Sequence, residues 1–330
     1  MANILVITTG GTITSIKKND VLSPSSSNII LEALNLIDKT NSYQILDLFV
    51  LDSTNIQPEE WQELAETIYQ NLNKYDGIIV THGTDTMAYT TSIISYIIQN
   101  PPIPVVFTGS QLPIYHKLTD AYSNLRYALA MAQSKIGGIF LAFNRKIILG
   151  CRSVKVRTSS FNAFESINLE NIATIDAKGL TILKLPETNH TFNYSNKIET
   201  NVFLLKLTPN MDPNIIDALI NLKIKGLVIE AYGAGGISFI RRNFVAHLEK
   251  LIKLNIPVCV CSQCLYEESN FKIYEVGKKA LNIGVIEALD MTSESCIAKL
   301  MWVLGQTSDL NEIRKYFKTN LVGEIKRYDK

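Results

Sequence analysis

Long apolar runs are missing from this chain. Nowhere in its 330 residues do eighteen apolar residues follow one another, so no membrane-spanning helix is expected. An excess of either charge is missing too. The 32 lysines and arginines face 31 aspartates and glutamates, a net charge of +1. That balance disfavours a nucleic-acid binder or a polybasic membrane-surface protein. Met1-Ala2-Asn3 leads directly into an apolar run, without a basic n-region or a long h-region, so no signal peptide is expected. The cysteines do not pair off. Five are present, Cys151, Cys259, Cys261, Cys264 and Cys296, an odd number that suits a reducing, cytoplasmic setting. Cys259-Val-Cys261-Ser-Gln-Cys264 has the outline of a metal clip. It lies, however, on a strand-like apolar run that puts Cys259 and Cys261 on one face, and no second Cys/His pair stands at zinc-finger spacing. Buried free cysteine acting as a small hydrophobe is the expectation. Nucleotide signatures are missing as well. Thr9-Gly10-Gly11-Thr12 is not GxGxxG. Gly233-Ala-Gly235-Gly236 lacks the lysine and serine of a P-loop and reads as a tight turn.

A substantial core can be built, because 46% of the residues are hydrophobic and 19% charged. The length suits one large domain or two ordinary ones. Strand-length apolar runs alternate with helix-period stretches. Strands are expected over residues 4–8, 43–51, 78–80, 105–108 and 138–143, with a β-excursion over 146–155. Helices are expected over 29–36, from Pro58 to Leu72, over 87–99 and over 120–133. A polar loop over 13–27 leaves the first strand and is a natural place for a lid. The pattern lapses over the polar residues 185–201. A second round follows, with strands over 202–207, 226–231 and 257–261 and helices over 213–222 and 244–254, then after Ser293 and Leu310. Alternation of this kind predicts an α/β protein of two α/β domains. The larger, residues 1–185, is a parallel-sheet, flavodoxin-like domain. A linker covers 186–200, and a smaller α/β domain covers 201–330.

In an open parallel sheet, ligands gather beyond the carboxyl ends of the strands. Three of the first four strands end in hydroxyl-rich turns: Thr12, then Asp52-Ser53-Thr54, then Gly83-Thr84-Asp85. Together they line one crevice with hydroxyls and carboxylates. A threonine hydroxyl is a poor nucleophile until a base or a positive field assists it. A lysine beside Asp85 would orient that carboxylate and accept a proton through a threonine. The alternative reading of Thr84 and Asp85 is an ordinary helix N-cap. His82 reads as a structural hydrogen-bonder, and Lys155 taken alone as a solvated lysine.

Thr9-Gly10-Gly11-Thr12-Ile13 with Thr81-His82-Gly83-Thr84-Asp85-Thr86 resembles the paired signatures of the bacterial-type L-asparaginases. Leu51-Asp52-Ser53-Thr54, Thr108-Gly109-Ser110, residues 144–155, Phe161-Asn-Ala-Phe164 and Asp290-Met291-Thr292 extend the resemblance over nearly the whole chain. Asn100-Pro-Pro-Ile-Pro104 and Lys299-Leu-Met-Trp302 resemble the cytoplasmic, type I branch and its archaeal relatives. The resemblance implies L-asparagine as substrate, hydrolysed to L-aspartate and ammonia, with no cofactor or metal. It implies Thr12 as the nucleophile that forms a β-aspartyl ester, and Thr84, Asp85 and Lys155 as a second threonine with its carboxylate and lysine. Asp52, Ser53 and Thr54 would hold the substrate, and backbone N–H groups at Gly83-Thr84 would stabilise the oxyanion. A homodimer or homotetramer is implied, with the site near a subunit interface.

Two positions depart from the pattern. Leu22 stands where the family usually carries a loop tyrosine. Glu230 stands where enterobacterial type I enzymes have an arginine serving an allosteric site, so allostery is not carried over. Two other readings stay open. One is the catalytic subunit of a tRNA-dependent amidotransferase, against which the start of the chain at strand one is counted. The other is a non-catalytic module that binds asparagine or aspartate.

Overall fold

The computed structural model describes residues 1–18, 21–23, 28–186, 191–271, 273 and 275–326. The chain divides into two compact units, Met1–Asn196 and Lys197–Lys330.

The first unit is built on an eight-stranded sheet. Five strands are parallel: β1 (Asn3–Gly10), β2 (Ser42–Leu51), β3 (Gly77–Thr81), β4 (Pro104–Thr108) and β5 (Gly138–Phe143). Their spatial order is β2-β1-β3-β4-β5, the flavodoxin-like order with its switch point beside β1. Strands β3, β4 and β5 are buried along their whole length. That explains why they read as unbroken apolar runs rather than alternating ones. Proline opens β4, where no ladder N–H is required. Helices α1 (Asn28–Ile37) and α4 (Ala121–Ala132) pack together, as do α2 (Pro58–Asn71) and α3 (Met87–Ile97).

The expected parallel sheet is there, and past it come the opening strand of the β-excursion expected over 146–155 and two strands that were not expected. Strands β6 (Lys146–Leu149), β7 (Ala173–Asp176) and β8 (Gly179–Ile182) extend it antiparallel past β5. A short hairpin pairs Ser153–Lys155 with Phe164–Ser166. Helix α3 ends at Ile97, and Ile98–Gln99 runs extended against Asn193–Tyr194. Asn100, at φ 52°, and the prolines after it forbid the longer helix the apolar pattern suggests. Of the loop expected over 13–27, residues 19–20 and 24–27 lie outside the described residues. Its described part contains a hairpin in which Leu22 pairs with Lys17. Within the expected linker, 187–190 also lie outside them.

The second unit has a four-stranded parallel sheet in sequence order: β9 (Val202–Lys206), β10 (Gly226–Ala231), β11 (Val258–Ser262) and β12 (Ile286–Glu287). Helix α5 (Ile215–Asn221) packs against α6 (Phe244–Lys253), and α6 against α7 (Glu275–Ile283). Helix α8 (Ser293–Gln306) lies along β9, β10 and β11, and α9 (Leu310–Lys318) packs on α8. The sequence read as a smaller α/β domain contains α7 and β12 in addition to the expected elements.

One ionic group holds the end of this unit. Lys299 on α8 and Glu324 are both fully buried and form an ion pair. Lys299 Nζ also donates to the Thr319 carbonyl at 2.9 Å. Glu324 accepts from the N–H groups of Leu321 and Val322 at 3.0 and 2.8 Å. Burial alone would raise the Glu324 carboxyl. The Lys299 charge and these hydrogen bonds outweigh it and hold the group below the ordinary carboxylate value. Removing one partner leaves the other charge buried and alone. Glu324→Gln is expected to cost about 3–5 kcal/mol in urea denaturation, and Lys299→Met with Glu324→Leu to recover most of it. Because the folded value is depressed, the Glu324 contribution is complete at neutral pH. It is lost only as pH falls below the ordinary carboxyl value of about 4.3.

Candidate functional site

The carboxyl ends of β1, β2 and β3 are drawn together by glycine. Gly11 has φ 82°, and a Cβ there would lie 2.5 Å from the Gly83 nitrogen. A Cβ on Gly83 would lie 2.6 Å from Ser53 Oγ. The two glycines therefore touch backbone to backbone, and Gly83 rests on Ser53. Thr12 follows one glycine and Thr84 the other. Thr12 opens a single 3-10 turn, Thr12–Thr14, closed by Ser15 N–H on the Thr12 carbonyl at 3.0 Å. Thr86 Oγ1 donates to the Ser53 carbonyl at 2.7 Å and ties the β3 turn to the β2 turn.

Thr84 and Asp85 do not cap the helix they precede. The N-cap of α3 is Thr86, which makes no side-chain cap bond. Both side chains turn instead to Lys155, at the end of the 153–155 strand. Lys155 Nζ donates to Thr84 Oγ1 at 2.8 Å and to Asp85 Oδ1 at 2.5 Å. The Thr84 residue is buried, the Lys155 side chain 15% exposed and the Asp85 side chain 59% exposed. The ammonium thus stands at the mouth of the crevice between a buried hydroxyl and a solvated carboxylate. Lys155 is delivered by the hairpin, which is stapled by Arg157 Nη1 on Glu165 Oε1 at 2.7 Å.

Gln111, in the turn after β4, is the residue that sequence reasoning missed. Its Oε1 accepts from Thr84 Oγ1 at 3.2 Å. Its Nε2 donates to the carbonyls of Thr158 and Ser160 at 2.9 and 3.0 Å. The signal that could have found it was its place directly after Thr108-Gly109-Ser110, at the end of a fourth parallel strand. Asp120 anchors this turn by accepting from the Gln111 and Leu112 N–H groups.

The β2 turn is self-contained. Asp52 Oδ1 accepts from Thr54 N at 2.9 Å and Thr54 Oγ1 at 2.8 Å, capping the 3-10 turn Ser53–Asn55. Ser53 is buried, whereas Asp52 and Thr54 are exposed.

His82 lies behind the crevice, fully buried. Its Nδ1 is 2.7 Å from the Gly83 carbonyl, and its Nε2 is 3.0 Å from Thr90 Oγ1. Trp61 Nε1 donates to the same Thr90 oxygen at 3.0 Å. A carbonyl can only accept, so Nδ1 carries the proton and Nε2 takes that of Thr90. Burial pushes the imidazole down to about 4, against a smaller opposing effect of the Gly83 carbonyl. His82 is a neutral brace for the turn, which agrees with its reading as a structural hydrogen-bonder.

The other singled-out residues lie elsewhere. Cys259 and Cys261 are buried on β11 with free thiols, and burial pushes the Cys259 thiol up. Among the described residues, no group of three or more His, Cys, Asp or Glu side chains is placed to hold a metal ion. No helix of the described chain is long and apolar enough to cross a membrane. Glu230 lies half-buried near the end of β10, with Lys206 Nζ at 3.5 Å.

Two threonines near a lysine–carboxylate pair at the switch point of an open parallel sheet stand where α/β enzymes of this architecture gather their ligands. Comparison with known proteins narrows the class. The family described as "Asparaginase, N-terminal" matches residues 3–188, and "Glutaminase/Asparaginase C-terminal domain" matches residues 201–317. The chain belongs to the asparaginase family of hydrolases. It is 41% identical over 325 residues to an L-asparaginase of Thermococcus kodakarensis, covering 98% of each chain. The solved structure of the thermostable L-asparaginase from that organism superposes with a TM-score of 0.94, over 99% of this chain and all of that one. The chain is also 34% identical to one component of the glutamyl-tRNA(Gln) amidotransferase of Methanobrevibacter smithii, over 98% of this chain and 77% of that component. A probable cytoplasmic L-asparaginase from Campylobacter jejuni superposes with a TM-score of 0.84 at 25% identity, over 97% of this chain and all of that one.

The buried imidazole has a measurable signature. Above an ordinary histidine value of about 6.5 it is neutral in both folded and unfolded chains and has no effect on stability. As pH falls from there to about 4, the unfolded chain binds a proton that the folded one refuses. Stability is therefore expected to drop, by up to about 3 kcal/mol at pH 4 from this residue. Urea denaturation of wild type and His82→Asn side by side between about pH 6.5 and 5 reads the effect by difference. His82→Asn should flatten the slope, and an unchanged slope would assign it to another group.

Proposed function

We propose that the protein hydrolyses L-asparagine to L-aspartate and ammonia through a threonine ester. The observation that carries this reading is the hydrogen-bonded group of Thr84, Asp85 and Lys155, one glycine contact away from Thr12. Identity of 41% to an L-asparaginase over almost the full chain supports the choice of substrate.

Thr12 Oγ1 attacks the side-chain amide carbon, and its proton is passed toward the nitrogen. The developing oxyanion is met by backbone N–H groups at Gly83-Thr84, in a turn whose peptides are fixed before substrate arrives. Collapse breaks the C–N bond, ammonia leaves, and a β-aspartyl ester joins substrate to Thr12. Water then attacks the ester carbon, gives a proton back to Thr12 Oγ1 and releases L-aspartate. Thr84 and Lys155, with Asp85 orienting the ammonium, assist the proton transfers. The Asp52-Ser53-Thr54 turn holds the α-carboxylate end of the substrate. Asp52 is already engaged as a cap and the N–H groups of Thr54, Asn55 and Ile56 are bonded within the turn, so the Ser53 hydroxyl carries that contact. Water is the only co-reactant in this scheme.

The same reading places the enzyme in the cytoplasm as a homodimer or homotetramer, to be checked by cell fractionation and light scattering. The amidotransferase reading draws support from the 34% identity to a component of such an enzyme. It predicts that the purified chain releases little ammonia without its tRNA and partner.

The deciding measurement is ammonia release from L-asparagine, D-asparagine and L-glutamine. Wild type is expected to turn over L-asparagine, and Thr12→Ala and Thr84→Ala to lose about 10³-fold or more in kcat. Near wild-type turnover in both variants would overturn the assignment of roles. Silence of the wild type, with L-aspartate still raising the melting temperature, would favour a binding module.

A further inference from the structure

We propose that Gln111 is a positioning residue. It holds the Thr84 hydroxyl with its proton turned away from Thr12, so that Thr84 enters the reaction as a hydrogen-bond acceptor. This rests on the reading of the site given above.

Counting donors fixes the direction of the Thr84 proton. The two Nε2 hydrogens of Gln111 are taken by two acceptors that cannot donate, the carbonyls of Thr158 and Ser160. Rotating the amide by half a turn would set its oxygen against both carbonyls, so its orientation is decided without reference to Thr84. Oε1 therefore faces Thr84, and since Oε1 only accepts, the Thr84 proton must lie on that bond. An ammonium only donates, so Lys155 occupies one lone pair of Thr84 Oγ1. One lone pair remains. The strand order is β1-β3-β4, so the turn of Thr84 lies between those of Thr12 and Gln111. With the proton committed to the β4 side and Lys155 on one lone pair, the second lone pair is what Thr84 Oγ1 has left to accept a proton arriving from the β1 side, that of Thr12.

The backbone of Gln111 is itself immobilised. Asp120, a buried residue, accepts from the Gln111 N–H at 3.1 and 3.0 Å through its two oxygens, and from Asn124 Nδ2 at 3.0 Å. Asn124 in turn donates to the Gly109 carbonyl and accepts from the Asn144 N–H. A long, rotatable side chain is thus tethered at its root and at its tip. Tethering at both ends suits a group whose task is to aim a neighbour's proton.

Steady-state hydrolysis of L-asparagine against pH tests this with Gln111→Met and Gln111→Glu. Methionine preserves length and removes the acceptor, freeing the Thr84 proton to turn into the crevice. Expected is a fall of about tenfold in kcat, the scale of one hydrogen bond, with KM changed less than about twofold. Glutamate accepts from Thr84, but when ionised its second oxygen opposes the Thr158 and Ser160 carbonyls. Protonated, its single O–H donates to one of those two carbonyls while its other oxygen still accepts from Thr84. The Gln111→Glu rate, taken relative to wild type, should therefore recover as pH falls.

Wild-type kcat and pH profile in both variants would overturn the proposal. So would a loss in Gln111→Met carried mainly by KM and melting temperature, which would make Gln111 a structural brace for residues 158–160. Wild-type silence on L-asparagine in the same assay sinks the underlying reading and this one with it. Turnover by wild type with unaltered variants sinks only the positioning.

Discussion

The contact between the Gly11 and Gly83 backbones is the constraint on which the site depends. Parallel strands are held about 4.8 Å apart by their ladder, and side chains normally keep the turns beyond them well separated. Two glycines remove that spacer where β1 and β3 end, and Gly83 repeats the arrangement against Ser53. Hydroxyl residues from three strands are thereby brought to one edge by backbone rather than by adjustable side chains. Glycine in such positions carries an entropic cost on folding. The buried framework behind it, with β3 and β4 inaccessible along their length, offsets that cost.

Two lysines in this chain show how burial decides the work of an ion pair. Lys299 meets Glu324 out of contact with water and holds α8 to the segment after α9. Such a pair contributes little net stability relative to an apolar replacement, yet either half alone is costly. Lys155 meets a carboxylate that is more than half exposed. Water screens that pair, so it contributes little to stability. Behind it, His82 is kept neutral by burial and adds no competing charge to the crevice.

Much of this was legible from residue order. The parallel strands announced themselves because strands buried on both faces must be apolar throughout, and the polar turns after them stand out by contrast. Thr12, Thr84, Asp85 and Lys155 could be named as candidates, since turn chemistry is local and the paired threonine signatures are specific. What was not legible depends on partners distant in sequence. The antiparallel strands β7 and β8 carry mixed polarity and lie partly exposed at the sheet's edge. Their pairing is set by neighbours rather than by period. Gln111 contacts Thr84, Thr158 and Ser160, and no spacing rule connects those positions. The capping role available to Thr84 was outweighed by a lysine 71 positions later.

The strand order also bears on how the chain is made. In the first sheet, β2 adds to one side of β1, β3 to the other, and each of β4 to β8 to the strand that precedes it. The second sheet adds its strands in sequence order. Among the described strands of these two sheets, none has to be inserted between two that are already paired. A chain emerging vectorially can therefore lay down each sheet outward, every new strand finding its template edge open. Until β3 is synthesised, however, one long edge of β1 has nothing to pair with, and such edges invite intermolecular pairing. The nascent chain accordingly carries an unpaired strand edge at each stage, on β1 until residue 81 is available and then on each newly added strand in turn.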